Sequence, residues 1–186
     1  MNDNFSCLGP RYKNISQKTL KQSNINYKIG YVKAISGAAM FFNTKKFDFI
    51  GGFDQNIFLY FEETDYCKRG SNVSLKAYQL NNVKITHQVG TAVEYEDNKE
   101  KEEIKKLCNW HFIWSKYYYY KKMYGLTLAF LYFIPIIIRI NFRIFIYSLF
   151  KNDKKFIKYY IRWHALKESI KNKKSYMRLE LIKKII

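Results

Sequence analysis

The feature that most constrains this chain is an abrupt change of texture near residue 99. Seven of its eight glycines come before that point and only Gly125 follows it. In the first stretch short apolar runs alternate with turn clusters roughly every ten residues, the pattern of an α/β region with short connections. In the second, turn signals nearly vanish and residues of good helix propensity take over. Of the 186 residues, 48% are hydrophobic and 19% aromatic, which excludes a mainly disordered chain. The expected division is therefore an α/β domain over 1–98 and a basic, aromatic-rich helical region over 99–186.

Charge follows the same division. Residues 1–99 carry 13 Lys+Arg and 9 Asp+Glu, a net +4, whereas residues 100–186 carry 20 and 6, a net +14. The second stretch thus holds most of the field that attracts an anionic surface, whether nucleic acid or lipid. Its aromatics cluster on predicted helices beside an apolar stretch rather than interleaving with lysines on a sheet, so no nucleic acid partner is expected. Cys7, Cys67 and Cys108 are an odd number at wide spacings. They suit neither a disulfide framework nor a zinc site and point to a reducing compartment. No secretory pattern opens the chain, which places it in the cytoplasm or on the membrane's cytoplasmic face.

The pattern predicts strands over 5–8, 29–35, 74–78 and 83–86. It predicts a helix over 44–49, capped by Thr44 and stopped at Gly51-Gly52, and a helix over 62–69 capped by Gly70. Residues 110–124 read as an aromatic-rich helix, and Phe156, Tyr160, Trp163 and Ile170 recur at helical spacing on one face of another. The most apolar stretch is 126–150. Its uncharged run, 126–138, is 13 residues long, short of the ~18–20 that a spanning helix needs. Pro135 also works against a straight span. Arg139 and Arg143 are one turn apart on a shared face, as in a helix lying in the interface with its arginines toward lipid phosphates. A helix packed on the soluble domain and a true span are the alternatives.

The densest polar feature in an apolar setting is Phe58-Leu59-Tyr60-Phe61-Glu62-Glu63-Thr64-Asp65-Tyr66. Three carboxylates so close repel one another and are costly near a core unless a metal, donors or a catalytic task compensates. One of them can act as general base toward a hydroxyl. The plainer alternative is the first turn of a helix, where the macrodipole favours acids. Gly37, Ala38 and Ala39 put small side chains at a strand end, where a ligand can approach the backbone or elements can pack closely. His87 follows a predicted strand, where an imidazole can hold a metal or phosphate or simply be hydrogen-bonded.

In their order, GAAMFF at 37–42, GGFDQNIFLYFEETDYCKR at 51–69, the strand ending at His87 with Gly90, and SKYYYYKKMYG at 115–125 resemble the C-terminal half of bacterial family-2 glycosyltransferases, especially the rhamnosyltransferase-like group. The resemblance runs from about Cys7 to about Ile170. It implies a partial GT-A fold, an α/β sandwich, followed by a membrane-apposed helical segment. The implied chemistry is inverting transfer of a sugar, rhamnose in the rhamnosyltransferase-like group, from a nucleotide-sugar donor to a hydroxyl of a lipid-linked or cell-surface polysaccharide precursor. A divalent metal, Mg or Mn, is the usual cofactor.

Carried over residue by residue, the resemblance puts the base on Glu63, where the family usually has Asp, and supporting roles on Glu62 and Asp65. Gly52, Phe53 and Asp54 match the turn that shapes the acceptor side, beside Gly37 and Ala38, and His87 matches a position near the donor diphosphate with a metal role. The family's first half, including its DxD metal motif, has no counterpart in these residues. A separately encoded N-terminal half is the partner this implies. The basic helices match a segment that apposes such enzymes to the anionic inner leaflet, a peripheral location in which Arg139 and Arg143 contact lipid. The rival expectation is a catalytically inactive membrane-surface binding module.

Overall fold

The computed structural model describes residues 4–12, 29–87 and 97–185. The chain divides into two compact units, one of Met1–Asp54 with Glu62–Glu94 and one of Gln55–Phe61 with Tyr95–Ile186.

The first unit is mixed α/β. Strands β1 (Phe5–Tyr12), β2 (Ile29–Val32), β3 (Phe41–Phe42) and β4 (Lys76–Ile85) form one sheet in the order β2-β4-β1-β3, with helices α1 (Thr44–Ile50) and α2 (Glu62–Asn72) between β3 and β4. β1 and β4 run parallel, while β2 and β3 are antiparallel to their neighbours. The crossover that a parallel pair requires is supplied in part by α2. Cys7, Val32, Ile35, Tyr66, Cys67 and Ala77 make the core.

Three expectations change here. The pattern predicts separate strands at 74–78 and 83–86, but β4 is continuous, because its register against β1 slips between Pro10↔Leu80 and Arg11↔Lys84. The turn-like Asn81-Asn82 is absorbed as an irregularity in the ladder instead of reversing the chain. Gly70 is not a cap either, since α2 continues to Asn72. A Cβ on Gly70 would stand 2.8 Å from Ser6 Cβ and 2.9 Å from the Leu75 carbonyl, so glycine there sets the closeness of α2 to β1. The predicted cap Thr44 is the first residue of α1, and Asn43 is its N-cap.

The second unit contains α3 (Asn98–Leu149), α4 (Asp153–Ile170) and the short α5 (Leu179–Ile182). Helix α3 breaks at Gly125, whose φ of 83° and ψ of 167° are closed to other residues. Tyr120 stacks on Tyr132 at 4.2 Å and Tyr117 meets Phe133 at 5.0 Å between ring centroids. On a continuous helix these pairs would be ~18 and ~24 Å apart, so the two arms fold back on each other. Pro135, by contrast, is accommodated within the second arm.

Helix α4 lies along the first arm in the same direction. Arg162 donates to Asn109 Oδ1 at 3.0 Å, Trp110 Nε1 donates to His164 Nδ1 at 3.0 Å, and Ser169 Oγ donates to the Trp114 carbonyl at 3.0 Å. The result is three packed helical segments around Trp110, Trp114, Tyr117, Phe133, Ile161 and Leu166. The core stripe of α4 runs through Ile161, Ala165 and Ser169. Of the face expected from its large residues, Trp163 and Ile170 are half-buried against this core, whereas Phe156 and half-exposed Tyr160 stack on each other at 5.9 Å on its flank.

Candidate active site

The acidic motif opens α2, with Glu62, Glu63 and Asp65 in its first turn. The chain enters this turn through Tyr60 and Phe61, both at positive φ, 65° and 73°. Each such non-glycine residue costs roughly 1–3 kcal/mol, so the surroundings must over-determine it. They do so within the helical unit. Tyr60 packs edge-on to Phe112 at 5.6 Å, Phe61 lies 5.5 Å from Tyr119, and Ser115 Oγ donates to the Leu59 carbonyl at 2.8 Å.

The three carboxylates have different fates. Asp65 is fully buried and accepts from Arg69 Nε at 2.7 Å, one turn on. Arg69 also donates to the carbonyls of Ile50 (2.6 Å), Gly51 and Gly52 (2.5 Å). A single guanidinium thus satisfies carbonyls at the C-terminal end of α1 and fixes the turn that follows. Phe53 adds an edge contact to Tyr66 at 5.9 Å. The Gly52-Phe53 turn and the acidic motif, separate in sequence, are joined through Asp65 and Arg69, and Asp54 follows directly.

Glu62 and Glu63 each keep one buried carboxylate oxygen, Oε2, without a hydrogen-bond partner among the described residues. Burial raises the Glu63 carboxyl above the usual carboxylate range, its own backbone N–H opposes the rise, and the Glu62 charge adds to it. A carboxylate that is desolvated yet able to ionise is a stronger proton acceptor than one in water.

Gly37 and Ala38 are exposed in the turn between β2 and β3, and the space where a Cβ of Gly37 would stand is open. Two residues before Gly37, the Ile35 backbone hydrogen-bonds the Cys67 thiol, one helical turn beyond Glu63. His87 lies two residues past the end of β4 and is half-buried; Gly90, quoted with it, lies outside the described residues. Among the described residues, no three His, Cys, Asp or Glu side chains converge to hold a metal ion. These residues alone therefore do not make a metal site, and His87 is not assembled into one.

Sequence reasoning missed Arg69 and Tyr66 as parts of this arrangement. The i,i+4 spacing of Asp65 and Arg69 was the available signal. Tyr66 has a buried hydroxyl without a partner among the described residues, its pKa pushed up to about 12 chiefly by burial. It carries no local signature.

In the helical unit, Arg139 and Arg143 are both exposed on the second arm of α3. Arg143 Nη1 donates to Tyr147 Oη at 2.8 Å. Ala129, Phe133 and Ile140 face the core, whereas Leu131, Ile138, Phe142, Phe145 and Leu149 are 56–65% exposed. An 18-residue window of α3 has a mean hydropathy of 1.9 with only 17% of it buried, so by length and composition α3 is able to cross a membrane. A separate groove of about 570 Å³ between the first arm and α4 is lined by Lys105, Lys106, Lys154 and Lys158, with Ile157 and Ile161 contributing apolar surface.

No family model matches the chain, and neither a curated protein nor a solved structure is detectably similar to it.

Proposed function

We propose that this chain is the acceptor-side part of a GT-A glycosyltransferase of family 2, working against the cytoplasmic face of a membrane. In this reading Glu63 takes the proton of an acceptor hydroxyl as that oxygen attacks the anomeric carbon of a nucleotide-linked sugar, with inversion. Glu62 holds the local charge that helps keep Glu63 basic, and Asp65 positions the Gly52-Phe53 turn through Arg69. The observation that carries the proposal is Glu63 itself: a desolvated carboxylate, one oxygen unengaged, at a helix head reached through two strained residues. The donor diphosphate and any metal fall to the family's N-terminal half, which these residues do not include.

The test is sugar transfer from dTDP-rhamnose to a lipid-linked saccharide by the full chain combined with a co-expressed half that carries a DxD motif. Glu63→Gln should lower transfer by at least about 100-fold while the fold is retained, the scale of a lost general base. Transfer unchanged in Glu63→Gln sinks the assignment.

One observation favours a second reading, a membrane-surface module without catalysis. The second arm of α3 shows a continuous apolar face flanked by Arg139 and Arg143, as interfacial helices do. It lies along two lysine-rich helical segments, which have no place in hydrocarbon, so lying on the surface fits this unit better than spanning. Vesicle flotation that depends on both arginines, with no transfer by any combination of halves, would leave this reading alone.

A further inference from the structure

We infer that Cys7 and Cys67 form a redox-convertible pair, able to close a disulfide that ties β1 to α2. This inference does not depend on the glycosyltransferase reading. The two residues are 60 positions apart, yet their Sγ atoms stand 3.6 Å apart in the core, with 0% and 1% of each residue exposed. Ser6 Oγ donates to Cys7 Sγ at 3.6 Å, and Gly70, one turn past Cys67, brings α2 against Ser6. The two sulfurs therefore meet where helix and strand approach most closely. Closing the bond requires the sulfurs to approach to about 2.05 Å, a movement of side-chain rotation and a small helix shift.

The two thiols differ in a way that assigns their roles. Hydrogen bonds from Cys67 and Ser6 hold the Cys7 thiol below its ordinary range, against the effect of burial. The Cys67 thiol is shifted upward by its bond to Cys7 and by burial. Cys7 is thus the attacking sulfur. With hydrogen peroxide as oxidant, the Cys7 thiolate attacks one peroxide oxygen and the O–O bond breaks. Hydroxide leaves with the electron pair and takes the proton that Cys7 lost, giving water and a Cys7 sulfenic acid. The Cys67 thiolate then attacks that sulfur, the S–O bond breaks, and the departing hydroxide takes the Cys67 proton as a second water. Two thiols are oxidised and one peroxide is reduced.

The consequence is local to the candidate site. Cys67 and Glu63 are four residues apart on one face of α2, so the bond would fix the helix one turn from the Glu63 carboxylate.

Exposure alone predicts the opposite target. Cys108 is partly exposed and would be the first thiol an external oxidant meets. The full chain is therefore treated with a small excess of hydrogen peroxide, blocked with iodoacetamide, digested and mapped by mass spectrometry, with circular dichroism to confirm the fold. The expected result is a linked peptide pair containing Cys7 and Cys67, alkylation confined to Cys108, an intact mass lower by two hydrogens, and reversal by dithiothreitol. Cys7→Ser should abolish the link. Should Cys7→Ser fail to fold, the mapping of the unsubstituted chain decides. Retention of all three alkylated thiols, or oxidation confined to Cys108, overturns the inference.

Discussion

The two units break the usual rule of burial in opposite senses. The α/β unit puts polar groups inside: Asp65 fully buried, and one oxygen each of Glu62 and Glu63 shielded without a partner among the described residues. The helical unit puts apolar groups outside, with Phe142, Phe145 and Leu149 all more than half exposed. An exposed leucine alone means little, but a contiguous apolar face and a desolvated carboxylate each need a cause. In the first unit the cause we propose is proton transfer, and in the second a lipid surface. On that proposal one short chain keeps chemistry and attachment in two compact units, each marked by what it leaves uncompensated.

The largest effects should come from removing what each unit does compensate. Arg69→Met would take the guanidinium away from the fully buried Asp65 carboxylate and strip donors from the carbonyls of Ile50, Gly51 and Gly52, at a cost of about 3–5 kcal/mol to the first unit. Phe133→Ala, which empties a fully buried site beside Tyr117, should cost the second unit a similar ~3–5 kcal/mol. Trp110, Trp114 and Trp163 all belong to the second unit. Tryptophan fluorescence in a urea titration should therefore move for Phe133→Ala, while amide exchange in β1 and β4 moves for Arg69→Met. A single shared transition for both variants would break the separation of the units.

What the sequence makes legible follows from the range of the interactions involved. The mixed α/β texture, the helix opening at Glu62 and the stop at Gly51 are local matters of propensity and backbone freedom, and each can be read from neighbouring residues. The continuity of β4 depends on β1 tolerating a slipped register, which no local pattern encodes. The fold-back at Gly125 was hidden for a similar reason: one glycine in a helical run signals a weak point, whereas the reversal is fixed by Tyr117 and Tyr120 meeting Phe133 and Tyr132. At the candidate site the acidic cluster was visible but the division of labour was not. That Asp65 serves Arg69 while Glu63 keeps one buried oxygen without a partner among the described residues is decided by tertiary burial. The pairing of Cys7 with Cys67 across 60 residues had no sequence signal at all.

Acid sharpens the comparison, because it should move the two units in opposite directions. His111 is buried between Ser175 Oγ and the Met177 carbonyl, both at 3.0 Å, and burial lowers its pKa to about 4. Its neutral form contributes stability in full above the unfolded value near 6.5, and that contribution is lost as pH falls through 4, to a limit of about 3 kcal/mol. Glu63 has the opposite sign. With its folded pKa raised, its contribution is complete below the unfolded value of 4.5 and is lost as pH rises through the folded one. As pH falls from 7 toward 4.5, urea titrations followed by tryptophan fluorescence should show the second unit weakening, and exchange from the core strands should show the first unit tightening. His111→Asn should flatten the first slope and Glu63→Gln the second. Parallel slopes in both units would remove the assignment of these two residues as the opposing groups.

The smallest effect on stability should separate the exposed face from the core most cleanly. Phe142 is 60% exposed and Ile138 is 63% exposed, on the side of the second arm away from Phe133. The double substitution Ile138→Ser, Phe142→Ser should change the folding free energy by no more than about 0.5 kcal/mol, as surface changes do. On vesicles containing anionic phosphatidylserine the same variant should lose roughly tenfold in binding, since partial burial of two large side chains contributes more than a kilocalorie. Arg139→Gln with Arg143→Gln should lose a comparable amount at low salt and less as salt rises, because each cation near an anionic surface is worth about 1 kcal/mol and is screened. If the serine variant binds vesicles unchanged while the arginine variant does not, attachment is electrostatic alone, and the apolar face must meet protein rather than lipid.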